Sequence, residues 1–158
     1  MAKVNISFWR TVIERLPTRT NLASRGITVP SMLCPICQEL PETESHLFTG
    51  CPTASLLWSI VGQWCFKQCR PFFDVKDLLL DVPDRSSTKS KEFFVDVVIR
   101  ATVWTLWKNR NQLVFQERRN SMQTLIVEVK SLSFLWVKAR ARHWDVGWDE
   151  WCRFNFVM

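Results

Sequence analysis

Residues 34–51 read CPICQELPETESHLFTGC and set Cys34, Cys37, His46 and Cys51 in the pattern C-x2-C-x8-H-x4-C. Four soft or borderline ligands at such short spacing suit one tetrahedral Zn²⁺. The first two sulfurs take one edge of the tetrahedron from a tight turn, which Pro35 helps to set. His46 and Cys51 return to take the other edge, Pro41 lies in the returning loop, and Gly50 gives the backbone latitude to aim the last sulfur. The competing reading is a set of buried free cysteines beside a solvent-facing histidine. It has to treat the in-range His and Cys after a Cys-x2-Cys pair as coincidence. With all four positions filled by protein, no coordination site is left for a catalytic water, so the expected role is structural.

The chain around this loop has 158 residues, enough for one domain or one domain with a helical extension. A hydrophobic content of 47% with nine tryptophans fits a folded protein rather than a disordered tail. Apolar runs such as Leu56–Trp58 and Phe93–Val95 fall far short of a membrane span, so no membrane partner is expected. The N-terminus has no long apolar segment of the signal-peptide kind. Six cysteines in such a chain read as thiols and metal ligands, which implies a reducing compartment, nuclear or cytoplasmic, and no secretion.

The net charge of +6 is unevenly placed. Residues 1–30 hold five Lys/Arg against one acid, residues 31–88 four against seven, and residues 89–158 twelve against seven. Glu39, Glu42 and Glu44 in the metal loop are expected to face solvent and repel phosphate. A polyanion would then be met by the flanking helices, not by a basic helix of the finger itself.

Ile6, Trp9, Ile13 and Leu16 recur at helical spacing and predict the buried face of an N-terminal helix that Pro17 ends. Thr20 or Asn21 can cap a short second helix, and Gly26 can terminate it. Arg10, Arg15, Arg19 and Arg25 decorate this region, either as a solvated face or as nucleic-acid contacts.

Here the residues carry a resemblance. Phe8-Trp9-Arg10, Leu16-Pro17-Thr18-Arg19, Asn21-Leu22 and Arg25-Gly26-Ile27 precede the Cys-Pro-x-Cys turn. His46-Leu47-Phe48, Cys51-Pro52 and Trp58 follow it. Over residues 3–65 this resembles the reverse-transcriptase zinc-binding domain of plant LINE-type (non-LTR) retrotransposons. Residues 102–115, TVWTLWKNRNQLVF, resemble a W-x-x-W-K-x-R-N-x-x-x-F segment that often follows in these polyproteins. The resemblance implies a C-terminal accessory domain that helps a retroelement protein handle RNA or DNA, with other retroelement or host proteins as further partners. No tyrosine is present, hence no Y-x-D-D polymerase motif, and the seven aspartates offer no ribonuclease H set. The expectation is a fragment, a relic or a stand-alone gene product, and not an enzyme.

Past the loop, Thr53 can cap a helix through Cys65 with Leu56, Leu57, Ile60, Val61 and Trp64 as its apolar side. Cys65 and Cys69 read as free thiols, because spare ligands would have to displace a matched set of four. Asp74 opens a short helix containing Leu78–Leu80, and residues 82–91 form a polar linker. Two long helices are expected over 90–116 and 121–142, capped between them by Asn120 or Ser121. The first carries Phe94, Val97, Ala101 and Trp104 at helical spacing, and the second carries Met122, Leu125 or Ile126, Val129, Leu132 and Trp136. Their base-rich ends and connection supply Lys108, Arg110, Arg118, Arg119, Lys138, Arg140, Arg142 and His143. Cations in a last turn also complement the helix dipole, so these charges serve either capping or nucleic-acid contact. The closing WDEWCRF is expected to dock Trp148, Trp151 and Phe154 through one amphipathic turn.

The expected fold is mainly α. A small Cys3His zinc-stabilised loop with N-terminal helices (1–81) is followed by the linker (82–91) and an antiparallel helical hairpin packing on the first part (92–158). The expected function is a non-catalytic zinc-binding, nucleic-acid-binding accessory domain. The alternative is a helical protein-interaction or structural module whose basic charge is incidental.

Overall fold

A computed structural model of the chain describes residues 2–65, 77, 89–140 and 146–154. The helices are α1 (Ala2–Val12), α2 (Arg19–Ser24), α3 (Pro52–Cys65), α4 (Lys89–Gln116), α5 (Met122–Arg140) and α6 (Trp148–Arg153), with a π-helical turn over His46–Gly50. Among the described residues the only β pairing is one antiparallel bridge between Leu33 and Pro41. The mainly α architecture with a Cys3His loop and a later helical hairpin is as the sequence predicts. The Asp74 helix, Cys69, linker residues 82–88, Arg142 and His143 lie outside the described residues.

Helix α4 is the axis of the molecule. At 28 residues it spans about 42 Å. It is buried on several sides, through Phe94, Val95, Val98, Ala101, Thr102, Leu106 and Asn109. A helix apolar nearly all round belongs inside a bundle. It packs against α1, α3 and α5. It ends where Glu117 adopts a left-handed φ of 53°. The Asn120 amide then donates to Asn109 Oδ1 (3.0 Å) and Gln112 Oε1 (2.7 Å), folding the chain back. Ser121 Oγ accepts from the Thr124 N–H at 3.2 Å, so Ser121 is the cap of α5. Leu125, Val129, Ser133 and Val137, each four residues on, form the buried stripe of α5.

Two apolar faces differ from their sequence reading. Helix α1 buries Val4, Phe8 and Thr11 and leaves Ile6 and Trp9 at 51% and 61% exposure; Ile13, just past its end, is 37% exposed, and of the expected face only Leu16 is buried. Two stripes compete on that short helix. Phe8 is on the winning one, with the Arg100 guanidinium 4.5 Å over its ring. Helix α3 buries Ala54, Leu57, Trp58, Val61 and Cys65 and exposes Leu56. Leu57 and Val61 of the expected side are buried, and packing selects Ala54, Trp58 and Cys65 with them in place of Leu56; the helix begins at Pro52, where a proline loses no helical hydrogen bond.

The C-terminal turn docks as the sequence suggests, through Trp151 and Phe154, while Trp148 stays largely exposed against Phe134. Trp151 is fully buried, edge-on to Phe94 at 5.6 Å and to Trp64 at 5.8 Å. Its indole N–H donates to the Lys130 carbonyl (3.0 Å), and its own carbonyl accepts from the Trp64 indole (3.1 Å). Buried residues from Phe8 to Phe154 form one continuous core. Trp151→Ala should therefore cost about 3–5 kcal/mol. Trp148→Ala, which loses mainly one aromatic pair, should cost about 1 kcal/mol. Urea midpoints of the two variants at unchanged slope measure the difference.

Candidate metal centre

The ligand loop is built from two local devices. In the first, the Cys34 N–H donates to the Leu40 carbonyl (2.7 Å) and the Gln38 N–H to the Cys34 carbonyl (2.9 Å). Gln38 turns the chain at a φ of 63°, and the Leu33–Pro41 bridge closes the knuckle. In the second, the Cys51 N–H donates to the His46 carbonyl at 2.6 Å, an i→i+5 bond that widens the turn. That wide turn explains the H-x4-C spacing, because it returns residue i+5 beside residue i.

The ligand atoms of Cys34, Cys37, His46 and Cys51 all lie within 4.8 Å of one another. His46 Nε2 is 3.2 Å from Cys37 Sγ. A tetrahedral zinc with Zn–S near 2.3 Å sets sulfurs about 3.8 Å apart, so small inward movements complete the site. Cys34, His46 and Cys51 are buried and Cys37 is half-buried. Burial lowers the His46 pKa, against Glu42 and Glu39, and so favours the neutral imidazole a metal requires.

The Cys51 thiol is held below its usual range, first by the hydrogen bond with Cys34 and then by the Thr53 and Ala54 amides, while burial and Cys37 oppose. Cys51 sulfur is thus a candidate ligand placed at the N-terminal end of α3, where a thiolate is favoured. Cys34 is raised well above its usual range by the bond with Cys51 and by burial, against the Cys37 and Ile36 amides.

The acids of this loop are not where the sequence reading places them. Glu39 is exposed, but Glu42 is 0% exposed and Glu44 is buried. Glu42 Oε1 and Oε2 accept from Arg110 Nε (2.6 Å) and Nη2 (2.8 Å), and Oε2 also accepts from the Arg19 amide (2.8 Å). The Glu42 carbonyl accepts from Thr20 Oγ1 (2.7 Å). The amide of Asn21 donates to the Glu14 and Leu16 carbonyls and to Glu44 Oε1. Burial pushes the Glu44 carboxyl up, while Asn21 and backbone amides oppose. Thr18, rather than Thr20 or Asn21, caps α2. Its neighbours are engaged with the metal loop.

The candidate nucleic-acid residues separate accordingly. Arg110 is 4% exposed, bound to Glu42 and stacked at 5.2 Å on Trp107; it is a core residue and closed to phosphate. Lys108 pairs with Glu128, and the Arg19 guanidinium donates to the Leu33 carbonyl (2.6 Å). Arg10, Arg15 and Arg25 are exposed and line one groove. Arg118 and Arg119 are exposed before α5, and Lys138 and Arg140 at its far end, about 27 Å along the helix, so they make no single patch. The residues sequence reading misses are Glu42 as an anchor and Asn21 as a clamp. The available signal was the arginine fixed between tryptophan and asparagine in Trp107–Asn111, a pattern that fits a partnered side chain as well as a contact surface.

Residues 1–58 match the family model described as zinc-binding in reverse transcriptase, and no curated protein and no solved structure matches the chain. The match supports reading this stretch as a zinc-binding domain of the reverse-transcriptase type. It contains all four candidate ligands and Glu42, whereas Arg110 lies outside it.

Removing one partner of a buried ion pair strands the other. Glu42→Gln and Arg110→Met should each cost about 3–5 kcal/mol, and a paired apolar replacement should recover much of it. Glu39→Gln should stay within about 0.5 kcal/mol of the parent. Chemical denaturation of the four proteins checks the ordering.

Proposed function

We propose that this chain is a non-catalytic, zinc-binding accessory module of the reverse-transcriptase type that binds RNA or DNA. The observation that carries the reading is the convergence of Cys34, Cys37, His46 and Cys51 inside the stretch that matches the zinc-binding family. The donor set is three thiols and one imidazole, the composition of structural zinc sites. With zinc bound, these four side chains would supply folding energy and fix the knuckle against α3. No ligand position would remain for water, which supports a structural role over a hydrolytic one.

The motifs shared with plant LINE-type elements support a non-LTR retrotransposon origin. The thiol-rich ligand set supports residence in the nucleus or cytoplasm. The exposed Arg10, Arg15 and Arg25, gathered along one groove, support a nucleic-acid partner through backbone neutralisation. Other retroelement or host proteins are the further partners of this reading.

Purified protein should contain one equivalent of zinc by elemental analysis. Cys37→Ser should lose it and loosen residues 30–58, because metal binding at such sites is worth on the order of 10 kcal/mol and is coupled to folding. Full zinc retention by Cys37→Ser would overturn the ligand set. Loss of protection should be smaller over α5, which packs mainly on α4, α3 and α6 rather than on the ligand loop. Hydrogen exchange on the zinc-loaded and chelated protein reads that contrast.

A further inference from the structure

The outward face of α1 carries Ile6 and Trp9 exposed, with Ile13 exposed in the turn that follows, on a helix whose other face anchors it to α4. Beside this stripe, an open groove of about 760 Å³ runs between α1 and α2, lined by Trp9, Arg10, Ile13, Glu14, Arg15 and Arg25. Three cations against one acid give it a positive balance.

Resting on the nucleic-acid reading above, we infer that this groove is the site where single-stranded nucleic acid binds. A base stacks on the Trp9 indole, and Arg10, Arg15 and Arg25 pair with backbone phosphates. An aromatic platform flanked by arginines is the chemistry that holds unpaired strands, because every base offers a π face and every linkage a negative charge. The metal loop does not oppose this. Glu42 is neutralised by Arg110 and Glu44 is buried, so of its three glutamates only Glu39 faces solvent.

A second aromatic groove, on α4, is lined by Trp104, Trp107, Lys108 and Phe115. Its cation is held by Glu128, so it presents aromatic surface without a free charge for phosphate. The α1–α2 groove has both. An acidic protein segment would also meet arginines, but it would have no use for the flat indole of Trp9 beside them.

The test is fluorescence anisotropy of the full chain with a labelled single-stranded RNA 12-mer and its DNA counterpart, from low to moderate salt. Trp9→Ala should weaken binding about 5- to 150-fold, the range for loss of one base-stacking contact, and Trp9→Phe should restore most of it. Gln at positions 10, 15 and 25 together should flatten the slope of log affinity on log salt by about 2, since each phosphate contact contributes about 0.7 on single strands. Arg118→Gln with Arg119→Gln should leave both quantities unchanged. These side chains are exposed, so melting temperatures should match the parent. If the parent binds neither oligonucleotide at low salt, the nucleic-acid reading itself fails. If the parent binds and the Trp9 and arginine variants bind equally well, the groove assignment is overturned while that reading stands. Failure to bind either oligonucleotide, with binding to polyglutamate, would assign the groove to an acidic protein partner and overturn the inference.

Discussion

The buried carboxylate of Glu42 is the constraint on which the architecture depends. A charge with no solvent exposure is tolerated only when fully paired and hydrogen-bonded. Glu42 obtains this from three N–H donors, two on Arg110 and one on the Arg19 backbone. They come from different elements: Arg110 lies 68 residues away in the last two turns of α4, and Arg19 opens α2. Meeting the needs of one carboxylate therefore fixes the knuckle, α2 and α4 relative to one another. Such a pair adds little net stability over a well-packed apolar replacement, but breaking it from one side is expensive. It acts as a register device: few other arrangements of these elements could bury Glu42 without stranding it.

The ion pair also bears on the extent of the metal module. The family resemblance ends at residue 58, yet the loop it describes is closed by a residue at 110. Leu33–Pro41 pairing and the Glu42 N–H bond to the Met32 carbonyl (2.9 Å) set the base of the knuckle, and Glu42 anchors that base to α4. The metal would order the tip, at Cys34 and Cys37, while the ion pair orders the stem. Phe48, just after His46, packs 6.5 Å from Trp107, one turn from Arg110. The zinc-binding stretch and the hairpin thus share one core.

What was legible in the sequence follows from the range of each interaction. Ligand spacing is local and chemical, so Cys34, Cys37, His46 and Cys51 could be picked out with no knowledge of the fold. Long helices announce themselves by period, and the α4–α5 hairpin with its Ser121 cap was accessible for the same reason. Faces were harder. Along α1 and the turn after it, Ile6, Trp9 and Ile13 make as good a stripe as Val4 and Phe8, and only packing against α4 selects between them. Charge was hardest. Counting acids over residues 31–88 treats Glu42 as a repulsive surface group and Arg110 as a phosphate ligand, when each cancels the other inside the core. Formal charge by segment carries no information about burial, and the pairing spans too many residues for periodicity to reveal.

Cys51 shows how one residue joins the metal loop to the bundle. Its backbone N–H closes the wide turn that aims His46, its carbonyl accepts from Ser55 at 2.9 Å in the first turn of α3, and its sulfur takes the Thr53 and Ala54 amides. A thiolate at that position is stabilised by the same orphan N–H groups that any helix start must satisfy. Deprotonation for metal binding and initiation of α3 thus favour each other. Helix α3 in turn places Trp58, whose indole donates to the Phe48 carbonyl at 2.7 Å, and Trp64, which caps the Trp151 carbonyl of the C-terminal turn. The first tryptophan seals the π-helical turn from the core side, and the second ties the far end of the chain to the same helix. Helix α3 is thus held at its start by the sulfur chemistry of the metal centre and at its end by the aromatic cluster. A substitution at Cys51 would remove a candidate ligand and a group at the start of α3 together, a double loss that Cys37 does not carry.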